Sequence, residues 1–125
     1  MATRAAAALE RVRKVCLSFP ETSERPSHGA PAFFIRRTRS FVMFVDNHHG
    51  NGRLALWCAA PAGAQAMLVE SNPDVYFVPP YVGPSGWIGA RLDRRAPWSE
   101  IAAVIEQAYR TRAPVTILRQ LDRQA

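Results

Sequence analysis

Apolar residues at the start of the 125-residue chain recur at steps of three and four, which is the spacing of one face of an α-helix. The positions on this face are Leu9, Val12, Cys16 and Phe19. Pro20 ends the pattern, because proline lacks the amide hydrogen that a helix requires. The pattern therefore predicts an amphipathic first helix, and the polar residues 21–29 that follow are predicted to form an ordered loop.

Three short runs rich in aromatic and β-branched residues come next, at 32–36, 41–45 and 54–59. Polar turns separate them, and the second turn contains Asn and Gly residues that tolerate positive φ. These features predict a three-stranded antiparallel meander. Two later extended runs, 75–78 and 86–92, indicate a further hairpin.

Two more helices are predicted downstream. Pro61 can open a short one, and Pro97 occupies the first turn of the clearest one, which Pro114 terminates. The apolar stripe of this last helix consists of Ile101, Val104, Ile105, Ala108 and Tyr109. The C-terminal tail, 115–125, is weakly amphipathic, and its pattern leaves open whether it packs or frays. Together these elements predict one α+β domain over residues 1–125, an antiparallel β-sheet of about five strands with helices packed against it.

The composition is that of a packed globular chain, with 48% apolar and 21% charged residues. The net charge is +6 and the pI is near 10.3, which is typical of a surface for an anionic partner such as nucleic acid. However, Lys14 is the only lysine and alanine is abundant, a bias that a GC-rich genome produces in any protein. The charge is therefore compatible with an anion-binding surface without establishing one.

The two cysteines, Cys16 and Cys58, lie among apolar neighbours and are predicted to be core residues, although their even number leaves a disulfide open. The chain begins without an apolar signal segment, and no apolar stretch is long enough to cross a bilayer core of about 30 Å. We therefore expect a cytoplasmic protein without a membrane partner. The sequence does not indicate the oligomeric state.

Five short motifs occur in order along the chain. They are 19–22 (FPET), 28–33 (HGAPAF), 76–83 (YFVPPYVG), 86–89 (GWIG) and 92–93 (LD). Taken in this order they resemble the MmcQ/YjbR family, and the resemblance extends over about residues 9–109. It implies a compact α+β fold related to a double-wing or CyaY-like arrangement. The family has no settled activity, and DNA binding has been suggested for it from fold similarity alone, so the resemblance does not by itself assign a function.

Arginine side chains flank the predicted meander and support a first functional hypothesis, a small binding module that contacts nucleic acid, including DNA, without sequence specificity. The candidates are Arg36, Arg37, Arg39, Arg53 and Arg91. Guanidinium groups match phosphate geometry, so hairpins that carry them could hold a nucleic-acid backbone as wings do in DNA-binding proteins. Strand alternation sends Arg36 and Arg37 to opposite faces, however, and ordinary solvated surfaces also explain these residues.

His28, Tyr81 and Trp87 support the alternative hypothesis, a small-molecule-binding protein or enzyme with a pocket near these three residues. The segment 46–52 (DNHHGNG) adds Asp, Asn and His side chains, but adjacent histidines lack the spacing of metal ligands, so a hydrated hairpin turn is the preferred interpretation. The sequence contains no catalytic set, metal site or cofactor motif, which favours a non-enzymatic role.

Overall fold

A six-stranded antiparallel sheet forms the centre of the protein in the computed structural model, which describes residues 3–123. The strands are β1 (Thr22–Ser27), β2 (Ala30–Ile35), β3 (Arg39–Asp46), β4 (Leu54–Cys58), β5 (Tyr76–Phe77) and β6 (Ile88–Arg91). Their order is β1-β2-β3-β4-β6-β5, so β6 lies between β4 and the edge strand β5. The predicted class, α+β with an antiparallel sheet, is confirmed.

Helices accompany the sheet within the described residues. They are α1 (Arg4–Cys16), α2 (Ala64–Ser71), α3 (Trp98–Arg112) and α4 (Val115–Arg123). The N-terminus of α1 is capped by Thr3, whose side-chain oxygen accepts a hydrogen bond from the Ala6 amide. Its last turn contains Arg13 and Lys14, and positive charge there is favourable to the helix dipole. α1 packs against α3, and both contact β3.

The segment 21–29, predicted to be a loop, instead contains strand β1, which pairs with β2 along its whole length. For this reason the sheet has six strands rather than about five. β1 lies at an edge of the sheet, where proline and charged residues are tolerated because one side of the backbone has no neighbouring strand. Pro26 therefore fits inside the strand, and the polar composition of the segment concealed it.

A bulge in the sheet brings an aromatic ring against α3. The pairing of β2 with β3 shifts after Phe33 and leaves Phe41 between two paired positions. The Phe41 ring meets Tyr109 edge to face, with centroids 5.6 Å apart, and Phe19 stacks on Tyr109 at 4.6 Å. The Tyr109 hydroxyl donates to the Pro20 carbonyl at 2.8 Å. Phe19 therefore belongs to the core, although it lies beyond the end of α1 and not within the helix as predicted.

Within the C-terminal tail, Val115–Arg123 forms α4 and packs on the rest of the protein through the buried side chain of Ile117. An ion pair between Arg110 of α3 and Asp122 of α4, 3.2 Å long, connects the two helices at the surface. The last two residues of the predicted tail lie outside the described residues. Of the two possibilities that the sequence left open for the tail, packing is the one observed for residues 115–123.

Cys16 in α1 and Cys58 in β4 are both buried and free, so they are core residues and do not form a disulfide. Burial raises the pKa of both thiols, which keeps them protonated. In the described part of the chain, no helix has the length and apolar character needed to cross a membrane. Nor does any group of three or more His, Cys, Asp or Glu side chains among these residues have an arrangement suited to a metal ion.

Candidate nucleic-acid interface

Among the described residues, the α-helices with the most contacts to the sheet, α1, α2 and α3, lie on one side of it. Glu24 of β1 lies on the covered side, because its carboxylate pairs with Arg13 of α1 at 2.6 Å. α3 packs on α1 on the same side, and α2 shares a cleft with α3. Neighbouring residues of a strand point to opposite faces, so Arg25 lies on the other side. We call that side the helix-free face.

A row of six residues, one from each strand, crosses the helix-free face. From edge to edge the paired residues are Arg25, Ala32, Met43, Trp57, Gly89 and Phe77. Residues directly opposite each other on neighbouring strands point to the same side, so the whole row lies on this face. With strands about 4.8 Å apart, the row spans about 24 Å.

An arginine is stacked on an aromatic ring near each end of the row. The Cζ atom of Arg25 lies 3.9 Å from the ring centroid of Phe34, and that of Arg53 lies 4.4 Å from the centroid of Phe77. Such contacts orient a guanidinium group and leave its N–H groups able to pair with an anion. Among residues 3–123, neither arginine forms an ion pair with a carboxylate.

A cluster of rings covers the middle of the row. Trp57 is 4% exposed, and the imidazole of His48 lies edge-on to its indole with centroids 4.9 Å apart. The Tyr81 ring lies 6.4 Å from Trp57 and 5.9 Å from His48, and its hydroxyl is 3.3 Å from His49 Nε2. Tyr81 is 72% exposed, so this ring of the cluster is open to solvent and to ligands.

The loop between β3 and β4 folds back onto the sheet and places His48 in this cluster. Asn47 has a positive φ of 55°, and its side-chain oxygen accepts a hydrogen bond from the Gly52 amide at 2.8 Å. The sequence predicts a hydrated turn here. His49 is exposed, as expected for such a turn, whereas His48 is partly buried. The Nε2 atom of His48 is buried and has no hydrogen-bond partner among the described residues.

We predict that His48 makes the stability of the fold decrease in mild acid. Burial, and to a smaller extent the neighbouring His49, lowers the pKa of His48 below its ordinary value of 6.5. The unfolded chain therefore binds a proton at His48 at a higher pH than the folded protein does. The contribution of His48 to the free energy of unfolding is therefore at its maximum above pH 6.5. It decreases as the pH falls below 6.5 and is lost once the pH has fallen through the lower, folded-state pKa.

Urea midpoints measured from about pH 7.5 to about pH 5.5 should therefore decrease toward acid. The decrease should be smaller in His48→Phe, which keeps a ring against Trp57 and removes the titrating group. His28→Gln is the control for losing an imidazole elsewhere. An equal decrease in His48→Phe and the wild type would show that another group is responsible.

The cleft that His28 lines does not include the other two residues of the predicted pocket, Tyr81 and Trp87. His28 lies in the turn between β1 and β2 and lines a cleft of ≈ 210 Å³ together with His48. Tyr81 lies beside His48 but does not line this cleft. Trp87 is 8% exposed and its carbonyl accepts a hydrogen bond from Gln65 at 2.6 Å, so it is a core residue.

The turn between β2 and β3 presents two arginines. It is closed by a hydrogen bond from the Thr38 amide to the Ile35 carbonyl at 3.3 Å, and its central residues, Arg36 and Arg37, have φ values of 50° and 66°. Positive φ at both central positions is the geometry of a type I′ turn, for which Asn-Gly is preferred. A residue with a Cβ is strained there, so the arginines occupy these positions at a cost in stability.

Three more arginines surround this turn. Arg25 donates a hydrogen bond to the carbonyl of Arg37. Arg39 donates to the carbonyl of Arg112 at 3.0 Å, and Arg112 donates to a carbonyl of β3 at 3.0 Å. The five side chains form what we call the arginine tip, which consists of Arg25, Arg36, Arg37, Arg39 and Arg112.

The arginine tip has little compensating negative charge. Among residues 3–123, its one ion pair joins Arg36 to Glu21 at 3.1 Å, with both side chains about half exposed. By contrast, Arg13 is paired with both Glu10 and Glu24. Four guanidinium groups of the tip are thus without a carboxylate partner in the described part of the chain.

The other two predicted arginines, Arg53 and Arg91, lie at the opposite end of the sheet. β3 separates the two ends and has 8 residues, a length of about 23 Å. Arg91 is neutralised by Asp93, with which it pairs at 2.9 Å. The predicted arginines therefore form two groups: Arg36, Arg37 and Arg39 come together, and Arg53 and Arg91 do not join them.

Two members of the tip, Arg25 and Arg112, were missed by the sequence-based prediction. Arg25 lies in the segment that was predicted to be a loop, and the strand there is polar throughout, so no alternation of apolar and polar residues marks it. Arg112 follows Arg39 by 73 residues, so no local pattern connects the two, and an arginine near a helix C-terminus is favourable without any role in binding.

The protein is thus a small α+β domain that carries the arginine tip at one end of its sheet. A comparison with known sequences identifies its family. A sequence model of the YjbR family matches residues 17–111, more than half of the chain, so the protein belongs to this family. The family indicated by the five motifs is thereby confirmed.

The comparison with solved structures shows the same fold. The crystal structure of Deinococcus radiodurans protein DR2400, with the family-model domain DUF419, is similar with a TM-score of 0.69. The similarity covers 81% of this chain and 75% of that chain at 15% sequence identity. At this level of identity the likeness concerns the fold and not the function. No curated protein matches the sequence.

Proposed function

We propose that the protein binds nucleic acid, including DNA, without sequence specificity through the arginine tip, and that it does so in the cytoplasm. The observation that carries the proposal is that four guanidinium groups around one hairpin end have no carboxylate partner among residues 3–123. Guanidinium groups stay charged at all physiological pH values and match the geometry of phosphate oxygens. Contacts to phosphates position a protein on nucleic acid without reading its sequence.

The backbone of the β2–β3 turn supports the same proposal. Arg36 and Arg37 occupy two consecutive positions with positive φ, where asparagine and glycine would be more stable. Strained residues of this kind occur most often at functional sites. A role in binding accounts for arginine at both positions, whereas a merely solvated turn does not require it.

Arg25 connects the tip to the helix-free face. It belongs to the tip and also forms one end of the cross-sheet row, three strands or about 14 Å from Trp57. A strand held by phosphate at Arg25 could therefore continue across the sheet to Tyr81, whose exposed ring can stack an unpaired base. The proposal accordingly includes single-stranded as well as duplex nucleic acid.

The proposal is tested by fluorescence anisotropy with labelled duplex and single-stranded oligonucleotides over a range of salt concentrations. We expect the logarithm of the binding constant to decrease linearly with the logarithm of salt concentration, because phosphate contacts release counterions. The double variant Arg36→Gln/Arg37→Gln should weaken binding and reduce the duplex salt slope by about 2, or roughly one per lost phosphate contact.

Arg95→Gln is the matched control, because Arg95 is an exposed arginine that follows β6 and lies outside the tip. It removes a single positive charge, so its effect is compared with that of Arg37→Gln alone. Binding that does not depend on salt, or equal losses in these two single variants, would rule out the arginine tip as the contact surface.

A further inference from the structure

A second basic surface lies away from the arginine tip, in a cleft of ≈ 340 Å³ between α1, the end of β6 and the start of α3. Its lining contains four arginines and no carboxylate among the described residues. We call it the arginine cleft and define it by Arg4, Ala7, Arg11, Arg91, Arg94 and Trp98. Its volume is within the range of about 300–1,000 Å³ that is typical of small-molecule sites.

The α1 wall of the cleft combines small and charged residues on one helical face. Arg4, Ala7, Ala8 and Arg11 have the spacing i, i+3, i+4 and i+7, so they lie above one another along the helix. The two alanines leave room for a ligand, and the two arginines are about 10 Å apart along the axis. This wall can therefore accept a molecule with an uncharged body and at least one anionic group.

The opposite wall supplies further charge and an aromatic surface. The Arg11 Cζ atom lies 4.4 Å from the centroid of the Trp98 ring, which orients this guanidinium at the cleft. Arg91 is held by Asp93, which also accepts a hydrogen bond from the Leu54 amide at 3.3 Å. The remaining three arginines of the cleft, Arg4, Arg11 and Arg94, form no ion pair with a carboxylate among residues 3–123.

We propose that the arginine cleft binds a small organic phosphate. Its phosphoryl group would be held by Arg4, Arg11 and Arg94, and its carbon skeleton or ring would lie against Trp98 and the alanine pair. A phosphate ester suits the site better than a simple inorganic anion, because an apolar floor offers nothing to a fully hydrated ion. It also suits the site better than a neutral ligand, because the lining carries positive charge and no carboxylate among the described residues, which favours an anion.

Isothermal titration calorimetry at low salt with AMP and with inorganic phosphate tests this proposal. AMP should bind more tightly than inorganic phosphate. Arg11→Gln removes a phosphate partner, and Ala7→Leu fills the cleft without changing its charge or weakening the helix. Each variant should bind AMP at least about tenfold more weakly, and far-UV circular dichroism checks that both are folded.

The double variant Arg36→Gln/Arg37→Gln separates this proposal from nucleic-acid binding at the tip. It should bind AMP like the wild type, whether or not its affinity for oligonucleotides changes. Wild-type affinity for AMP in Ala7→Leu would overturn the proposal, as would equal affinities of the wild type for AMP and inorganic phosphate. If the wild type does not bind AMP while Arg11→Gln weakens oligonucleotide binding, the cleft belongs to a nucleic-acid surface and the proposal is also overturned.

Discussion

Replacing Gly89 with alanine is expected to lower the free energy of unfolding by about 2 kcal/mol, because it overpacks the sheet. Gly89 is buried in β6 and is directly paired with Phe77 of β5. A Cβ atom at position 89 would lie 2.4 Å from both Cε2 and Cζ of the Phe77 ring, closer than real Cβ atoms approach other heavy atoms. The ring or the strand must therefore move.

Moving the Phe77 ring away from position 89 has a cost. The ring is also contacted by the guanidinium group of Arg53 at 4.4 Å, so displacement would disturb a cation–π contact worth about 0.5–1 kcal/mol. Alanine gains about 0.5–1 kcal/mol over glycine inside a strand, because glycine loses more backbone freedom on folding. This gain offsets part of the strain but not all of it.

Urea unfolding of Gly89→Ala, Phe77→Ala and the double variant checks this prediction as a double-mutant cycle. Gly89→Ala should destabilise the wild type, whereas in the Phe77→Ala background it should raise stability by up to about 0.5–1 kcal/mol, because the ring is absent and the advantage of alanine over glycine in a strand remains. A similar loss in both backgrounds would mean that the Phe77 ring is not the cause.

Helices α1 and α3 and the central meander were predictable because each buries a face whose period can be read locally. In α3 the stripe that contains Ile101, Ile105 and Tyr109 follows the helical repeat, and all three residues are buried. Strand β1 lacks such a signal, since an edge strand can remain polar on both faces. The contact between Gly89 and Phe77 was also not predictable, because it depends on the register of two strands.

The candidate sites show a similar limit. Arg36 and Arg37 are adjacent in a hairpin turn, so their proximity follows from local sequence. Trp57 and Trp87 are both buried, yet Trp57 contacts His48 of the β3–β4 loop and Trp87 lies near α2, whose Gln65 donates a hydrogen bond to its carbonyl. This difference arises because the β3–β4 loop folds over the sheet, which hydrophobic periodicity does not encode.

The β2–β3 turn provides the second large effect, since one change there should raise stability and lower binding. Replacing Arg36 with asparagine and Arg37 with glycine supplies the residues that a type I′ turn prefers. Relief of the strain at these two positions should raise the free energy of unfolding by about 1–2 kcal/mol. Loss of the exposed ion pair between Arg36 and Glu21 should lower it by at most about 1 kcal/mol. We therefore expect the variant to unfold at a higher urea concentration.

Affinity for nucleic acid should decrease in the same variant, because two guanidinium groups of the arginine tip are removed. Arg36→Gln/Arg37→Gln is the matched comparison: it removes the same charge but keeps side chains with a Cβ at both strained positions, so it should lose affinity without gaining stability. If the asparagine–glycine variant were less stable than the wild type, the arginines would be holding the turn and not straining it. If it were more stable and bound oligonucleotides with unchanged affinity and salt slope, the strain would be unrelated to binding, and the arginine tip would have to be rejected as the contact surface.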